Sequence, residues 1–410
     1  MSIIKPISIS LSPNTEKDDI WLALKLVFQC WKWKRGKAIK GLENEFKKYL
    51  GVKYAFAFNS GRSALIAILK SFELKPESEV LLQAFTCNAA VNPVIWSGYK
   101  PVYVDCDEDN FNINPEDLKR KITPKSRVVI VQHTFGLPAK MDKILDITRQ
   151  NNLILIEDCA HSLGAEYQGK KVGTFGKAAF FSFSRDKIIS SVYGGMVVTN
   201  DDKLGVKLLQ FRQNIKYPNN CWIIQQLMHP ILMNFLILPT YRVFGKYLLV
   251  LFQYLKILSK AVHWKEKQGR KPSYFPKKMP NALALLALNQ FKKLDRFNKH
   301  RGEMADFYYE NLKKSSFALP QRNGSVFLRF TIKHPKAHYI IKNAWKKNLL
   351  IGDWYTSPVA PEDTDLTKLQ YKMGSCPKTE KLAKLTLNLP THINISQKEA
   401  QKIVNFLKKY

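Results

Sequence analysis

Short apolar segments that alternate with stretches of helical periodicity are the feature that most limits how this chain can fold. Seven such segments lie between Lys53 and Asn200, at residues 54–58, 79–84, 101–105, 128–133, 153–158, 178–183 and 195–199. Strand-like runs that alternate with helical ones indicate a sheet connected by crossover helices. Parallel strands covered on both faces are almost continuously hydrophobic, as residues 128–131 and 153–156 are. The sequence therefore predicts an α/β domain with a mainly parallel sheet.

The second half of the chain predicts a connecting segment and a smaller domain. Leu, Ile, Phe, Met and Tyr dominate residues 222–258, and basic residues dominate the connector that follows. The later pattern predicts helices at 283–297, 303–312, 338–347 and 397–409, and a strand at 326–332. A chain of 410 residues is long enough for two or three domains. We divide it into an N-terminal arm with a large domain (1–215), an apolar and basic segment (216–278) and a small α+β domain (279–410).

Two interpretations of the apolar residues 222–258 remain open. No stretch reaches the roughly 20 apolar residues that a membrane-spanning helix requires. The first interpretation is a pair of helices that pack on the protein or at a dimer interface. The second is an interfacial element on an anionic membrane, with Arg242, Lys246 and Lys256 between its apolar residues. The second interpretation would make the protein peripheral at a membrane.

The charge of the chain is strongly positive. It has 65 Lys and Arg residues against 33 Asp and Glu residues, which gives a formal net charge of +32. Such a charge attracts polyanions, among them nucleic acid, anionic lipid and nucleoside diphosphates. The sequence has no basic recognition helix, aromatic RNA-binding signature or zinc finger, and we therefore expect no nucleic-acid partner.

The cysteines and the N-terminus predict a cytoplasmic protein without a metal site. The six cysteines are spread over the whole length and form no C-x-x-C pair and no Cys/His cluster at metal-ligand spacing. Reduced thiols are the ordinary state of such cysteines in the cytoplasm. Residues 1–14 contain one Lys and no long apolar run, unlike a signal peptide.

Three features at the ends of predicted strands point to one kind of chemistry. Lys187 follows the strand at 178–183, where partial desolvation lowers the pKa of an amine and favours a Schiff base with a carbonyl. Asp158 ends the strand at 153–158 and is placed to keep a pyridine nitrogen protonated. Residues 59–65 form a small-residue turn before an apolar helix, whose first amides can bind a phosphate. A pyridoxal phosphate enzyme needs these three elements together.

The order of these segments resembles the DegT/DnrJ/StrS-type sugar aminotransferases. The resemblance covers most of the chain and rests on residues 41–52, 59–65, 86–93, 98–105, 131–139, 157–165, 172–176, 182–187 and 194–200, and later on 280–284, 289–290, 294–295, 352–355 and 387–390. Family members are fold type I pyridoxal phosphate enzymes that transaminate keto sugars attached to nucleoside diphosphates. The resemblance therefore implies a three-layer large domain of that fold, a smaller α+β C-terminal domain, pyridoxal 5'-phosphate as cofactor and a homodimer.

The resemblance also implies roles for eight residues of this chain. They are Gly61, Arg62, Ser63, Cys87, Asp158, His161, Ser182 and Lys187. Lys187 would carry the cofactor as a Schiff base and move protons, and Asp158 would face the pyridine nitrogen, so these two are the catalytic residues. His161 would lie near the ring hydroxyl, Ser182 would bind the phosphate, and the backbone amides of the first three residues would complete the phosphate cup.

A few positions depart from the family pattern. Family members carry an aromatic residue against the pyridine ring at the position of Cys87, so either the Cys87 sulfur or neighbouring Phe85 has to fill that place. The apolar segment obscures the asparagine with which family members reach the partner subunit's phosphate, and we assign none. His133 also follows a strand, but a structural role fits it equally well. A related branch dehydrates sugars with histidine in place of the lysine, and Lys187 argues against that branch.

The predicted function is the transfer of an amino group from an amino acid, with L-glutamate as the expected donor, to a nucleotide-linked keto sugar. Such a reaction supplies amino sugars for cell-surface polysaccharides. Two alternatives stay open. One is an enzyme of the same fold whose keto substrate carries no nucleotide, for example a lipid-linked compound. The other is a membrane-peripheral protein that binds the cofactor in a regulatory role.

Overall fold

All seven predicted strands form one sheet in the computed structural model of the chain, which describes residues 5–322 and 324–410. They are β1 (Tyr54–Phe58), β2 (Glu79–Gln83), β3 (Lys100–Val104), β4 (Ser126–Gln132), β5 (Ile154–Asp158), β6 (Ala178–Ser182) and β7 (Gly195–Thr199). Their ends differ from the predicted ones by no more than two residues. The start of the predicted N-terminal arm, residues 1–4, lies outside the described residues.

The strands follow the order β1-β7-β6-β5-β4-β2-β3 across the sheet. The pairs β6/β5, β5/β4, β4/β2 and β2/β3 are parallel, whereas β7 is antiparallel to both of its neighbours. The predicted mainly parallel sheet is therefore confirmed. The carboxyl ends of β1, β5 and β6 meet at the same edge, which is where ligands bind in sheets of this kind.

Helices cover both faces of the sheet and connect its strands. In the first half of the chain they are α1 (Lys17–Val27), α2 (Ala38–Leu50), α3 (Gly61–Ser71), α4 (Asn88–Trp96), α5 (Pro115–Lys121), α6 (Met141–Gln150) and α7 (Asp202–Asn214). One face of the sheet packs against α3, α4 and α7, and the other packs against α2, α5 and α6. Because both faces are covered, β2 and β7 are buried along their whole length.

The apolar segment forms two helices that bend sharply between them. They are α8 (Asn220–Leu232), extended by a π-helical turn at Met233–Ile237, and α9 (Lys246–Tyr254), preceded by a π-helical turn at Tyr241–Gly245. Pro239 lies in the break. Among the described residues no single helix has the length and apolar composition needed to cross a membrane. The pair Asn220–Ile237 and Tyr241–Tyr254, bent by 111°, meets those criteria when its halves are taken together.

The last part of the chain contains a short helix, two long helices and a small α+β unit. After α10 (Trp264–Lys267) come α11 (Asn281–Phe291), α12 (Leu294–Leu312), α13 (Ala337–Lys346), α14 (Pro377–Leu385) and α15 (Gln397–Leu407). The antiparallel strands Arg329–Lys333 and Thr386–Pro390 pack with α12, α13 and α15 around a second core. The N-terminal strand Ile7–Ser8 pairs with Leu349–Leu350 of this unit.

The helix break in this region lies elsewhere than predicted. The sequence pattern predicted one helix over 283–297 and another over 303–312. In the structure the break lies at Lys292 and Lys293, and α12 is continuous from the end of the first predicted helix to the end of the second. Lys293 there forms ion pairs with Glu16, Asp18 and Asp19 at the start of α1, at 2.6–3.2 Å. The division of the chain at 215 and 278 stays a prediction, and α11 packs on α2 of the large domain although it follows the second boundary.

Candidate active site

A cavity of about 870 Å³ lies at the carboxyl edge of the sheet, between the sheet, the small α+β unit and the apolar segment. Asp158 at the end of β5 and Ser182 at the end of β6 line it, because neighbouring parallel strands end side by side. Lys187 reaches it from the loop after β6, and Gly61 and Arg62 reach it from the start of α3. Four separate segments of the sequence, at residues 61–62, 87, 158–161 and 182–187, thus supply its predicted residues.

The start of α3 forms a compact turn against the ends of β6 and β7. Ser60 caps the helix, since its hydroxyl accepts the amide proton of Ser63 at 3.0 Å. A Cβ atom on Gly195 would lie 2.5 Å from Gly61 N, and one on Gly61 would lie 3.1 Å from the Ser182 Cβ. At position 195 only glycine allows this approach, and a side chain at position 61 would be tightly packed against Ser182. The approach places the helix N-terminus beside the Ser182 hydroxyl. Backbone amides and a hydroxyl at a helix N-terminus are suited to a phosphate dianion.

Asp158 is a buried carboxylate with one oxygen held by the backbone. Its Oδ1 accepts the Ala160 N–H at 3.0 Å, and Oδ2 has no hydrogen-bond partner within the described residues. Burial raises the pKa of Asp158 to about 6, against smaller opposing effects of the Ala160 amide and the Lys187 amine. The carboxylate is therefore charged at neutral pH and lacks a full set of partners, a state that a cationic group in the cavity would stabilise.

His161 is held flat between two aromatic rings. Its ring lies 6.1 Å from Phe135 at an interplanar angle of 4° and 5.5 Å from Trp354 at 20°. The Phe135 N–H donates to Nδ1 at 3.2 Å, which places the imidazole proton on Nε2. Burial, together with Lys187 and Arg329, holds the pKa of His161 well below its usual value. His161 is thus a neutral side chain with a single N–H donor.

Lys187 lies in a loop that is held in place by residues from the N-terminal and C-terminal parts of the chain. Asn14 donates to the carbonyls of Lys187 and Ile188, and Arg301 donates to Asn14 Oδ1 at 2.8 Å and to the Ile188 carbonyl at 3.3 Å. The Lys187 Nζ lies 4.6 Å from the centre of the Trp354 ring. Burial lowers the pKa of Lys187, although neighbouring Asp186 acts in the opposite direction. More of the amine is consequently neutral than in a solvent-exposed lysine.

The small α+β unit supplies an aromatic wall that the sequence did not assign to the site. Trp354 and Tyr355 line the cavity, and Arg329 stacks on Trp354 with its Cζ 3.4 Å from the ring centre. Arg329 also forms an ion pair with Asp186 at 3.1 Å. The two aromatic residues lie in one of the segments that carry the family resemblance, but nothing local in the sequence indicates that they reach the lysine.

Seven of the eight predicted residues line this one cavity, and the exception is Ser63. The Ser63 hydroxyl donates to Asn59 Oδ1 at 2.6 Å, and its amide is taken by Ser60. The Arg62 side chain turns away from the cup, where it forms an ion pair with Glu266 and donates to the Ala261 carbonyl at 3.1 Å. The amides of Gly61 and Arg62 therefore remain as the donors of the predicted cup.

The structure distinguishes between the alternatives at Cys87, Phe85 and His133. Cys87 lines the cavity, whereas Phe85 is fully buried in an aromatic cluster with Phe111 and Tyr355 and does not reach it. His133 is completely buried, accepts the Ala139 N–H at Nδ1 and pairs with Glu157 at 3.2 Å. Its place is structural.

His133, Glu157 and Cys159 also form a buried group with ligand atoms close enough to share a metal ion. Backbone amides of residues 173, 175 and 176 already donate to the Glu157 carboxylate at 2.7–2.8 Å. These hydrogen bonds, with those of His133, explain the cluster as a support beneath the cavity.

Comparison with known proteins gives the wider context of this geometry. The model of the DegT/DnrJ/EryC1/StrS aminotransferase family matches residues 14–219 and 254–408. The chain belongs to this family. The predicted family is therefore confirmed, and residues 220–253 of the apolar segment lie outside the match.

Two curated relatives and one solved structure illustrate the similarity. A GDP-perosamine synthase of Caulobacter vibrioides is 37% identical over 219 residues, which are 53% of this chain and 59% of the relative. One of Escherichia coli O157:H7 is 30% identical over 282 residues, 69% of this chain and 65% of the relative. The chain thus matches less than two thirds of either relative's length. Helicobacter pylori PseC, an aminotransferase involved in the biosynthesis of pseudoaminic acid, superposes with a TM-score of 0.78 at 23% identity and 99% coverage of both chains.

The structural similarity confirms the predicted fold class, a fold type I α/β protein with a smaller C-terminal unit. Membership of the family, together with a Bacillus subtilis relative named as a putative pyridoxal phosphate-dependent aminotransferase, confirms the predicted cofactor, pyridoxal phosphate. The cavity fits that group by its own chemistry. The small-residue cup beside Ser182 suits a phosphate, and the incompletely paired Asp158 carboxylate suits a protonated ring nitrogen. The cup and the carboxylate lie on the same cavity as Lys187.

The raised pKa of Asp158 predicts how the cofactor-free protein responds to pH. A folded-state pKa of about 6 lies above the ordinary value of 3.8, so the folded protein loses stability as the pH rises through that range. We expect cofactor-free D158N to be more stable than wild type at pH 7.5, by about 3 kcal/mol, and the difference to vanish towards pH 4. Thermal unfolding at several pH values measures this.

A matched control is D146N, which removes an exposed carboxylate on α6. It should change stability little at any pH. Lower stability of cofactor-free D158N at pH 7.5 would contradict the assignment of an electrostatically unfavourable carboxylate.

Proposed function

We propose that this protein is a pyridoxal phosphate-dependent aminotransferase that moves an amino group from L-glutamate to a nucleotide-linked keto sugar. The observation that carries the proposal is the convergence of Lys187, Asp158 and the cup at Gly61 and Ser182 on one cavity. Pyridoxal phosphate, when bound, supplies the electron-withdrawing ring that allows a proton to leave the donor's α-carbon. The roles below are those of the protein's own residues.

Lys187 acts as covalent anchor and as the base that moves the proton. Burial lowers the pKa of its amine, which increases the neutral fraction that can accept a proton. Trp354 lies under the amine and, with Tyr355, excludes water from that side. The Asn14 contacts to the loop backbone keep Lys187 in one position while its side chain moves.

Asp158 and His161 hold the ring of the cofactor in the state that the reaction needs. The Asp158 carboxylate would keep a proton on the ring nitrogen of a bound cofactor, because its Oδ2 has no hydrogen-bond partner among the described residues. His161 donates through Nε2 and cannot rotate, since Phe135 and Trp354 enclose its two faces. A neutral donor here stabilises the anionic ring hydroxyl without competing with Asp158 for the proton.

The acceptor is proposed from two supporting observations. Both relatives above are named as GDP-perosamine synthases, and the cavity has a basic side with Arg185 and Lys260. A diphosphate group complements such a side. Product analysis with a panel of nucleotide-linked and free keto sugars distinguishes this proposal from the alternative of a keto substrate without a nucleotide. Turnover of the free sugars alone would favour the alternative.

Replacement of Lys187 by alanine removes both the anchor and the base. We expect glutamate to bleach the visible absorption of the wild-type protein loaded with pyridoxal phosphate and to leave that of K187A unchanged. Turnover with any acceptor should fall at least about 100-fold, the contribution of one positioned base. Stopped-flow absorbance and product analysis measure the two effects.

The matched control is K203A, since Lys203 is exposed on α7 and remote from the cavity lining. It should behave as wild type. Activity retained in K187A would remove Lys187 from the mechanism. A wild-type protein that binds the cofactor but does not respond to glutamate would instead favour a regulatory role.

The proposal includes a homodimer, which the family resemblance implies. We expect sedimentation velocity to give twice the mass of the 47.3 kDa chain at micromolar concentration. A fully active monomer would contradict a site completed by a second subunit.

A second proposal concerns a membrane surface on the apolar segment. Nine side chains form what we call the apolar surface, each more than a third exposed: Trp21, Phe235, Val243, Phe244, Tyr247, Val250, Leu251, Tyr254 and Leu255. Trp21 of α1 joins it through a ring contact of 6.4 Å with Phe235. Exposed apolar groups of this number mark an interaction site rather than ordinary solvent-facing surface.

The charge around the apolar surface favours an anionic membrane as its partner. Between Asp202 and Glu266 the sequence has nine Lys and Arg residues and no acidic residue. Arg242, Lys246 and Lys256 are exposed within or beside the surface. Basic residues that flank exposed aromatic and aliphatic ones are typical of helices that lie in the headgroup region of anionic membranes. Residues 220–253 lie outside the family match.

Acidic substitutions on α9 test this proposal. Val250 and Tyr254 share one face of the helix and are 66% and 81% exposed, so the fold should tolerate V250E/Y254E. We expect the double variant to bind vesicles of phosphatidylglycerol and phosphatidylcholine at least about 10-fold more weakly than wild type. The reason is that the variant lacks two apolar side chains that would be buried in the membrane on binding. Vesicle flotation measures the binding.

The control is Y339E/M373E on the small α+β unit, where the two side chains are 60% and 58% exposed. This variant carries the same added charge and should float as wild type does. Equal binding by all three proteins, or no binding by wild type, would refute the membrane surface.

A further inference from the structure

His229 is a buried histidine on α8 for which the protein provides no hydrogen-bond partner. Its side chain lines the catalytic cavity and is 5% exposed, and neither Nδ1 nor Nε2 has a partner among the described residues. The other buried histidines at the cavity side of the sheet, His133 and His161, do have partners. A buried polar ring that lacks both hydrogen bonds is costly, and such groups in native proteins call for a ligand.

Arg185 faces the same part of the cavity and also lacks an ion-pair partner in the part of the chain that the structure describes. Its guanidinium donates to the Ser259 hydroxyl, which in turn donates to Gln226 Oε1 at 2.6 Å. Its Nε is buried without a partner. Arg62 also lines the cavity but forms an ion pair with Glu266, whereas Arg185 has no ion-pair partner among the described residues.

The surrounding wall is basic and belongs to the apolar segment. Lys260 lines the cavity beside Ala261, and the whole stretch between Asp202 and Glu266 lacks acidic residues. Burial and the nearby Arg185 hold the pKa of His229 well below its usual value, so the imidazole is neutral and offers one N–H donor. The donors on this side of the cavity are therefore the Arg185 guanidinium, the His229 imidazole and the Lys260 ammonium group, and none of them has an ion-pair partner among the described residues.

We infer that Arg185, from the loop after β6, and His229, from the apolar segment, form a phosphoryl-binding subsite in the cavity. A phosphoryl group offers several anionic oxygens and can accept from more than one donor at once. The subsite deepens the proposed function and rests on it, because that reaction brings two phosphorylated ligands into the cavity: the cofactor with its phosphate and the sugar nucleotide with its diphosphate. His229 lies in residues 220–253, outside the family match, whereas Arg185 lies inside it.

The test uses the full chain loaded with pyridoxal phosphate and the variants H229L, H229Q and R185M. GDP and UDP binding is measured by titration calorimetry, and retention of pyridoxal phosphate is measured by its loss during dialysis. We expect H229L and R185M to weaken one of these two at least about 10-fold, the effect of one hydrogen bond to a charged group. H229Q keeps a donor and should retain most of the binding. H338L, at a histidine bonded to the Ala383 carbonyl, is the matched control.

The two sources of the phosphoryl group give different results. Weaker GDP and UDP binding with normal cofactor retention assigns the subsite to the substrate, and the opposite pattern assigns it to the cofactor. The melting temperature of H229L should not fall, because the imidazole has no hydrogen bond to lose, whereas a structural histidine would be destabilised by the change.

Three results would overturn the subsite. The first is unchanged binding of nucleotide and cofactor in both variants. The second is a change only in the glutamate concentration needed to bleach the cofactor, and the third is a lower melting temperature of H229L with normal binding. Each of these leaves the proposed function intact, provided that glutamate still bleaches the wild-type cofactor. Failure of wild type to respond to glutamate refutes the proposed function by itself.

Discussion

The contact between the start of α3 and the ends of β6 and β7 is the constraint on which the site depends. Gly195 and Gly61 allow backbone and hydroxyl groups to approach within van der Waals distance there, and any side chain at Gly195 would separate them. The same contact places Ser182 beside the helix N-terminus and directs the loop after β6 across the sheet edge. The lysine loop, the acid and the cup therefore share one origin, which is the close packing of one helix on two strands.

Burial adjusts the charges that this packing brings together. It raises the pKa of Asp158 and lowers the pKa of Lys187, so both groups are shifted towards their neutral forms before any ligand enters. A cationic ring nitrogen near Asp158 would reverse the first shift. The cavity thus stores an unfavourable arrangement that only a complementary ligand relieves, and the stability of the cofactor-free protein carries that cost.

The strands and the main site residues could be predicted because their signals are local. A strand covered on both faces has to be apolar throughout, and a polar residue at its end is therefore conspicuous, as Asp158 and Lys187 are. Trp354 and His229 could not be predicted in the same way, since they reach the cavity only through the packing of the small unit and of α8. The helix break at Lys293 was missed for a similar reason, because the acidic residues that hold it belong to α1, far away in the sequence. Phe85 was an open alternative that only the aromatic cluster around it could exclude.

The supports of the lysine loop have a consequence for the order in which the molecule is made. Asn14 contacts Lys187 across 173 positions of sequence, Arg301 contacts Asn14 across 287, and Arg329 contacts Asp186 across 143. During synthesis the sheet can assemble as its strands emerge, but the loop lacks two of its three supports until residue 301 has left the ribosome, and the last until residue 329 has done so. Contacts of such long separation form late in folding. A nascent chain therefore has its scaffold before it has a fixed lysine, which delays cofactor capture until the small unit has docked.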